Sequence, residues 1–138
     1  MNIRSFDEHD REAVIDLWQV CGLVVPQNNP HKDIDRKLQD SGKLFLVGDI
    51  DGRIVASAMA GYDGHRGWIN YLAVLPSMRR EGLGREMMKA VEKRLLAVGC
   101  PKINLQIRTT NQQVIEFYEA IGYSMDRVVS MGKRLEYD

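Results

Sequence analysis

The sequence lacks an excess of charge of either sign and is poor in cysteine. Its 138 residues include 19 Lys and Arg against 19 Asp and Glu, so the formal net charge at pH 7 is zero. Because general nucleic-acid binders usually have a strong basic excess, this balance argues against a nucleic-acid partner. The two cysteines, Cys21 and Cys100, form no CxxC pair, which predicts two buried, reduced thiols.

Long apolar runs and metal-ligand clusters are absent as well. No run approaches the roughly 18–20 apolar residues that a membrane span requires, so we expect no membrane partner. Residues 1–10 lack the apolar core of a signal peptide, which favours a cytoplasmic protein. Neither histidines nor cysteines stand at metal-ligand spacing, which predicts that the chain holds no metal. The length fits a single domain, residues 1–138, that buries its core without disulfides.

The apolar residues fall into helical and strand-like spacings. We predict four helices, one between Asp7 and Gly22 and the others at 33–39, 83–97 and 112–121. Strands are predicted at residues 3–6, 44–50, 53–60, 68–75, 103–107 and 128–135. Asp51-Gly52 indicates a two-residue hairpin turn, because both turn positions need positive φ. The order of elements indicates an α+β fold with a mixed sheet. Small residues suggest that another element packs closely on the third strand: Ala56, Ser57, Ala58 and Ala60.

A basic, glycine-rich turn before the strongest predicted helix is the most informative segment. Its sequence is Arg79-Arg80-Glu81-Gly82-Leu83-Gly84. The glycines remove side chains where a ligand must approach the backbone, and the first helical turn offers free N–H groups and the positive end of the helix dipole. The pattern predicts a phosphate or pyrophosphate site, to which each arginine adds hydrogen bonds worth about 1.5–3 kcal/mol. The alternative is a solvent-exposed basic turn without a ligand.

The turn differs from two better-known phosphate loops. No GK[ST] is present, which excludes a P-loop, and the glycines do not fit the GxGxxG dinucleotide fingerprint. Micromolar affinity needs about 8 kcal/mol, which is more than the turn alone supplies. The rest of a ligand must therefore contact other surface, most simply the preceding strand.

Two motifs of the chain resemble the GNAT (GCN5-related) N-acetyltransferases, which use acetyl-CoA. The apolar strand Leu72-Ala73-Val74-Leu75-Pro76, followed by residues 79–84, matches Arg/Gln-x-x-Gly-x-Gly/Ala at a helix start. Asn111, Tyr118 and Gly122-Tyr123 match Asn, a Tyr seven residues later, and Gly-aromatic. The loop at residues 61–67 is similar to the bacterial YpeA-like branch. The resemblance implies a GNAT-like α+β fold, with a mixed, mostly antiparallel sheet of six to seven strands flanked by about four helices.

Taken residue by residue, the resemblance implies a site for acetyl-CoA. The backbone of Leu72, Ala73 and Val74 would pair with the pantetheine arm, and the Val74 N–H would polarise the thioester carbonyl. Asn111 would contact the cofactor arm, and Tyr118 would protonate the departing thiolate. The alternative for Tyr118 is a core aromatic on a packed helix. The pyrophosphate would lie against the turn formed by Arg79, Arg80, Glu81, Gly82, Leu83 and Gly84.

The group that accepts the proton of the amine is the least defined part of this site. In the ribosomal-protein N-terminal acetyltransferase branch, a glutamate lies five residues before the motif asparagine, and here that position is Gln106, which cannot take a proton. Asp63, His65 or a chain of waters are the remaining candidates, although His65 also fits an exposed loop histidine. Deprotonating a lysine at pH 7 costs about 4.6 kcal/mol, against about 1 kcal/mol for an α-amine. An enzyme without a strong base should therefore prefer α-amines.

These motifs predict an acetyl-CoA-dependent N-acetyltransferase that modifies a primary amine of a small molecule or of a peptide or protein N-terminus by direct attack. Two alternatives stay open: a non-catalytic acyl-CoA-binding sensor, given the missing glutamate, and an interaction protein that only retains the fold. Trp18 and residues 23–26 either border the acceptor, as this segment often does in the family, or pack as satellite core. The charged helix at 33–40 is expected to face solvent, in preference to the alternative of a recognition surface. The sequence leaves open whether the chain forms a homodimer.

Overall fold

The computed structural model describes residues 1–138 and divides into two units. The first unit comprises residues 1–104 together with Asp138, and the second comprises residues 105–137. A single domain over residues 1–138 stays a prediction.

The first unit is built on a five-stranded mixed sheet whose strands follow the order of the chain. They are β1 (Asn2–Ser5), β2 (Phe45–Ile50), β3 (Arg53–Tyr62), β4 (Gly67–Val74) and β5 (Ile103–Asn104). Neighbouring strands are antiparallel except for β4 and β5, which run parallel. Asp51 and Gly52 have φ values of 50° and 82°, which confirms the predicted hairpin turn between β2 and β3.

The chain forms four helices, as predicted. They are α1 (Arg11–Val20), α2 (Pro30–Ser41), α3 (Leu83–Ala97) and, in the second unit, α4 (Gln112–Ala120). α3 has the predicted bounds, and Gly99 follows its end with φ 88°. α2 begins earlier than predicted, because the Asn29 side chain accepts the Lys32 N–H and Pro30 opens the helix. No helix combines the length and the apolar character needed to cross a membrane.

An aromatic stack forms the core between α1 and the sheet. Phe6 and Phe45 stack with ring centroids 4.5 Å apart, and Trp18 of α1 stacks on Phe45 at 6.0 Å. Trp18 and Phe45 are fully buried, and burial of side chains this large is a main source of stability. Apolar residues of α1, α2 and the sheet complete this core: Val14, Ile15, Leu17, Ile34, Val47, Ile54, Met59 and Ala73.

Small residues in β3 and β4 allow α3 to pack closely on the sheet. The alanines of β3 are buried, and α3 packs on both strands, as the small side chains predicted. A Cβ added at Gly67 of β4 would lie 2.8 Å from the Cys100 Sγ and 3.1 Å from the Leu95 Cδ1. Only glycine fits this position without displacing its neighbours.

The expectation of six to seven strands is wrong, because the sheet has five. β5 ends at Asn104 instead of residue 107, since it pairs only with the first two residues of β4. Residues 128–135, predicted as a last strand, form no strand in the second unit. A strand needs a neighbour that satisfies its backbone hydrogen bonds, and here the apolar side chains face solvent instead, with Val129 and Met131 87% and 91% exposed.

Replacing Gly67 with alanine is expected to lower the free energy of unfolding by about 1–3 kcal/mol, because the new methyl group must displace Cys100 and Leu95 from a filled core. Urea denaturation measures this change. Gly132→Ala is the matched control, since a Cβ there meets nothing within 4 Å. Equal unfolding free energies for the two variants would contradict the close packing at Gly67.

Candidate active site

β4 contains a bulge just before the segment predicted to bind the cofactor. Ser57 of β3 pairs with Ala73 and Met59 pairs with Asn70, so two steps along β3 correspond to three along β4. Tyr71 lies in this bulge with φ 53°, a left-handed conformation that is uncommon for a bulky residue. Because a bulge bends its strand, it sets the direction of the backbone at residues 72–74.

A buried chain of hydrogen bonds holds the bulge. The Trp18 Nε1–H donates to the Ser57 Oγ at 2.9 Å, and the Ser57 hydroxyl donates to the Tyr71 carbonyl oxygen, also at 2.9 Å. Trp18 and Ser57 are both fully buried. The Tyr71 ring stacks on Trp18 with centroids 3.8 Å apart. The buried indole N–H and the bulge carbonyl are thereby satisfied through one hydroxyl group, as buried polar groups require.

The Tyr71 hydroxyl connects the bulge to α2. It donates to the Asp33 Oδ2 at 2.6 Å, and the Arg36 guanidinium donates to the Asp33 Oδ1 at 3.2 Å. Arg36 also donates to Asp138 at 2.6 Å, and the Asp138 carboxylate accepts the Asn29 N–H at 3.1 Å. Burial and the hydrogen bond to Asp33 raise the pKa of Tyr71, so its hydroxyl stays protonated at neutral pH. The hydrogen bond from Arg36 lowers the pKa of Asp138.

The expectation that residues 33–40 face solvent is wrong for one side of α2. Ile34 is fully buried, and Lys37 is 8% exposed. The Lys37 ammonium donates to the Ser41 Oγ at 2.6 Å, and burial lowers the pKa of Lys37. The signal in the sequence was the spacing of Asp33, Ile34 and Lys37, because residues three and four apart share one helical face.

The apolar stretch after α1 belongs to the core over part of its length. Trp18 is fully buried in the aromatic stack, and Leu23 and Val24 pack against the same core. This supports the satellite-core alternative for these residues, whereas Pro26 is exposed. Packing against this core accounts for the apolar character of Leu23 and Val24 without a bound ligand.

Residues 72–74 lie on an edge of the sheet that no strand covers. β5 pairs only with the first two residues of β4, so the rest of β4 has no neighbouring strand on that side. The Leu75 N–H donates to the Val55 carbonyl of β3 at 2.8 Å. Because successive N–H groups of a strand point to opposite edges, those of Leu72 and Val74 point to the uncovered edge. An extended ligand can bind there as an added strand.

Cys21 contacts the same segment from the end of α1. Its Sγ lies 3.3 Å from the Val74 carbonyl oxygen, to which the thiol donates a weak hydrogen bond. The prediction of two buried thiols is confirmed for Cys100 and wrong for Cys21, which is half-buried. Gly22, with φ 71°, ends the helical region directly after Cys21. Cys21 therefore lies at the end of the helix, where its side chain stays partly exposed.

The basic turn joins β4 to α3 with a helix start that no side chain caps. A short 3-10 turn at Pro76–Met78 follows β4, and Gly82 is the N-cap residue of α3 with φ 81°. A Cβ added at Gly82 would meet nothing within 4 Å, so open space adjoins the first-turn N–H groups of α3, where a phosphate group fits. Leu83 is buried and begins the helix. The residues exposed before it are Arg79, Arg80 and Glu81, and Gly84 is half-buried in the first turn.

The other two predicted site residues lie in the second unit. Asn111 is the N-cap of α4, and its side chain accepts the Val114 N–H at 3.4 Å. Tyr118 is 6% exposed, and its ring meets those of Phe117 and Tyr123 edge-on, with centroids 5.1 and 5.3 Å away. Burial raises the pKa of Tyr118, so the phenol stays protonated at neutral pH. The roles of Asn111 at the cofactor arm and of Tyr118 as proton donor stay predictions.

Asp63 organises its loop and is a poor base. Its Oδ1 accepts the N–H groups of Arg66 and His65 at 2.7 and 2.8 Å, and its Oδ2 accepts the Trp68 indole N–H at 3.2 Å. These hydrogen bonds lower the pKa of Asp63, so the carboxylate binds a proton weakly. His65 is exposed. No group of three or more His, Cys, Asp and Glu residues is arranged to hold a metal ion.

The chain matches a known protein family over most of its length. The sequence model of the Acetyltransferase (GNAT) family matches residues 10–123. The chain belongs to the GNAT acetyltransferase family. It is 47% identical over 138 residues to an acetyltransferase of Pectobacterium atrosepticum, which covers 100% of this chain and 98% of that protein. An acetyltransferase of Sodalis glossinidius is 48% identical over 139 residues, with the same two shares covered.

Solved GNAT structures share the fold of this chain. Ard1 from Thermoplasma volcanium matches with a TM-score of 0.82 at 24% identity, over 91% of this chain and 83% of that chain. An aminoglycoside N-acetyltransferase in complex with a bisubstrate analogue matches with a TM-score of 0.78 at 21% identity, over 96% and 97% of the two chains. At such identities the likeness establishes the fold, a GNAT-like α+β arrangement that has five strands and four helices in this chain.

Replacing Tyr71 with phenylalanine is expected to lower the free energy of unfolding by about 1.5–3 kcal/mol, the range for a hydrogen bond to a charged group. Urea denaturation at pH 7 measures the change. Tyr62→Phe is the control, because the Tyr62 hydroxyl donates to the Gly64 carbonyl at an exposed site, where a change within about 0.5 kcal/mol is expected. A Tyr71→Phe variant as stable as the control would show that the contact with Asp33 does not hold the bulge to α2.

Proposed function

We propose that the protein is an acetyl-CoA-dependent N-acetyltransferase that acetylates a primary amine by direct attack. The proposal rests on one observation, an uncovered strand edge at residues 72–74 followed by an open, uncapped helix start at Gly82. The strand edge offers backbone N–H donors to the extended part of a ligand, and the helix start offers them to a phosphate group of the same ligand. Membership of the GNAT family supports it, and an aminoglycoside N-acetyltransferase of the same fold is known in complex with CoA.

The proposed cofactor contacts follow from the shape of this segment. The backbone of Leu72, Ala73 and Val74 lies beside the pantetheine arm as a neighbouring strand would, and binds it through groups that point to the uncovered edge. The first-turn N–H groups of α3 and the guanidinium groups of Arg79 and Arg80 bind the pyrophosphate. Gly82 keeps the backbone accessible, since its position is open and no side chain caps the helix. Acetyl-CoA, when bound, supplies the acetyl group as a reactive thioester.

Two groups of the chain are proposed to act on the reacting atoms. The Val74 N–H donates to the carbonyl oxygen that gains negative charge, and a donor of this kind contributes about 100–1000-fold to the rate. Tyr118 donates its phenolic proton toward the leaving sulfur. Burial raises the pKa of Tyr118, so the phenol carries this proton at neutral pH. Asn111 is proposed to contact the cofactor arm.

The acceptor is proposed to be a weakly basic primary amine, of a small molecule or of a peptide or protein N-terminus. Gln106 replaces the glutamate of the N-terminal acetyltransferase branch, and the lowered pKa of Asp63 makes that carboxylate a poor substitute. A free α-amine with a pKa near 7.7–8 is partly neutral at pH 7 and can attack without first being deprotonated by a base, and the proton that its nitrogen loses as the amide forms is proposed to pass to water. A lysine side chain must first lose a proton at a cost of about 4.6 kcal/mol.

A non-catalytic acyl-CoA sensor is the second candidate, and it is favoured by the same lack of a strong base. Release of CoA in the presence of a panel of α-amines, lysine-type amines and polyamines separates the two functions. Turnover with any amine supports the enzyme, and binding without turnover supports the sensor.

A protein that only retains the fold would show no thermal shift with acetyl-CoA, whereas a ligand at about 100 times its Kd stabilises by about 2.7 kcal/mol. A cytoplasmic location stays a prediction.

Gly82→Val is expected to raise the Kd for acetyl-CoA at least about tenfold, because the side chain fills the space next to the α3 N–H groups. Isothermal titration calorimetry measures the Kd. Gly99→Val is a matched control at the other end of α3, since both glycines have a positive φ and open surroundings. Both variants should lose similar stability, and only Gly82→Val should lose affinity. Equal affinities would place the pyrophosphate elsewhere.

Tyr118→Phe is expected to lower kcat by about 100-fold or more while leaving the Kd for acetyl-CoA within about threefold, because it removes a proton donor and little binding surface. CoA release with the best α-amine of the panel measures kcat. Tyr137→Phe, at an exposed tyrosine, is the control. A Tyr118→Phe variant with unchanged kcat would refute the role as proton donor. A lysine-type amine or polyamine that reacts faster than every α-amine at pH 7 would refute the proposed acceptor.

A further inference from the structure

Ser57 is the group through which the core contacts the bulge backbone. Its hydroxyl accepts the Trp18 indole N–H and donates to the Tyr71 carbonyl oxygen, both at 2.9 Å. The side chain is fully buried and lies opposite Ala73 in the β3–β4 register. We propose that Ser57 is a positioning residue that holds the β4 bulge, and through it the N–H groups of Leu72 and Val74, in the direction that binds acetyl-CoA.

The bulge creates the need for such a group. An extra residue in one strand interrupts the ladder, and its backbone groups lose their partners in the neighbouring strand. The carbonyl of the half-buried Tyr71 meets the hydroxyl of the fully buried Ser57. A partly buried carbonyl without a protein partner would favour a different backbone conformation, so the hydroxyl favours the bulged one.

The position of Ser57 on β3 makes this selection specific. The Trp18 indole N–H uses an acceptor site of the Ser57 hydroxyl from the α1 side, and the hydroxyl proton is donated separately to the Tyr71 carbonyl. Alanines flank Ser57 on both sides in β3 and offer no hydrogen-bonding side chain. The backbone direction at residues 72–74 therefore depends on this hydroxyl group, in addition to the stacking of Tyr71 on Trp18 and its hydrogen bond to Asp33.

The proposal rests on the proposed function for its effect on acetyl-CoA, but the effect on the bulge can be measured without ligand. Ser57→Ala removes the contact with the Tyr71 carbonyl. Trp18→Phe removes the indole N–H and leaves the bond from Ser57 to Tyr71 intact. Both variants are expected to lose stability. If Ser57 contributed only to core packing, the two variants would show the same changes in hydrogen exchange and in affinity. The double variant, Ser57→Ala with Trp18→Phe, also lacks the hydrogen bond to the Tyr71 carbonyl.

Hydrogen exchange of the unliganded protein is the first measurement. In Ser57→Ala, the Leu75 amide, which donates to Val55 beyond the bulge, is expected to exchange about tenfold faster relative to the amides of β2, the factor for loss of one buried hydrogen bond. In Trp18→Phe, the ratio of the two exchange rates should stay near the wild-type value. Equal ratios in the two single variants would overturn the proposal.

Calorimetry with acetyl-CoA is the second measurement. Ser57→Ala and the double variant are expected to bind about tenfold more weakly than wild type, and Trp18→Phe to bind within about threefold of it. Ser57→Thr, which restores a hydroxyl, should recover affinity. Wild-type affinity in Ser57→Ala, or an equal loss in both single variants, would overturn the positioning role. Absence of binding by the wild-type protein would refute the proposed function instead, and the exchange result would still decide the role of Ser57.

Discussion

The hydrogen bond from Ser57 to the bulge carbonyl of Tyr71 is the interaction on which the candidate site depends. It joins the aromatic core to a strand that is irregular at one residue. Most groups proposed to bind the cofactor follow Tyr71 directly in the chain, first the uncovered edge at 72–74 and then the turn into α3, whereas Asn111 lies in the second unit. Such a contact matters at this edge because residues 72–74 pair with a neighbouring strand on one side only.

The fold could be predicted from the sequence wherever local patterns decide the structure. The helical spacing of residues 83–97 and the Asp51-Gly52 turn need no distant partner, and both were predicted correctly. The last predicted strand shows the limit of this reasoning. Residues 128–135 include two adjacent valines, a methionine and a leucine, yet pairing depends on a neighbouring backbone that no local pattern specifies. The number of strands was therefore the part of the fold that was predicted wrongly.

The candidate site divides in the same way. The glycine-rich turn and the uncapped helix start at Gly82 could be predicted from the sequence, because a turn into a helix is a local arrangement. Binding of a phosphate group there stays a prediction. The contacts that hold β4 could not be found, since Trp18, Ser57 and Tyr71 are far apart in the chain and meet only in the folded sheet. The aspartate that binds the Tyr71 hydroxyl was likewise assigned to solvent, because a charged helix gives no indication of which of its carboxylates has a partner.

Arg80 has a further consequence for the free protein. It adopts φ 66° without being glycine, and a left-handed backbone costs such a residue about 1–2 kcal/mol. The turn therefore keeps a shape that its own sequence disfavours, even though a glycine would relieve the strain. A glycine would also let the turn adopt more backbone conformations, and ordering them on binding of an anion would cost entropy. Arginine combines a restricted backbone with a positive charge. The chain thus gives up some stability for a turn whose shape does not depend on the pyrophosphate that we propose to bind there.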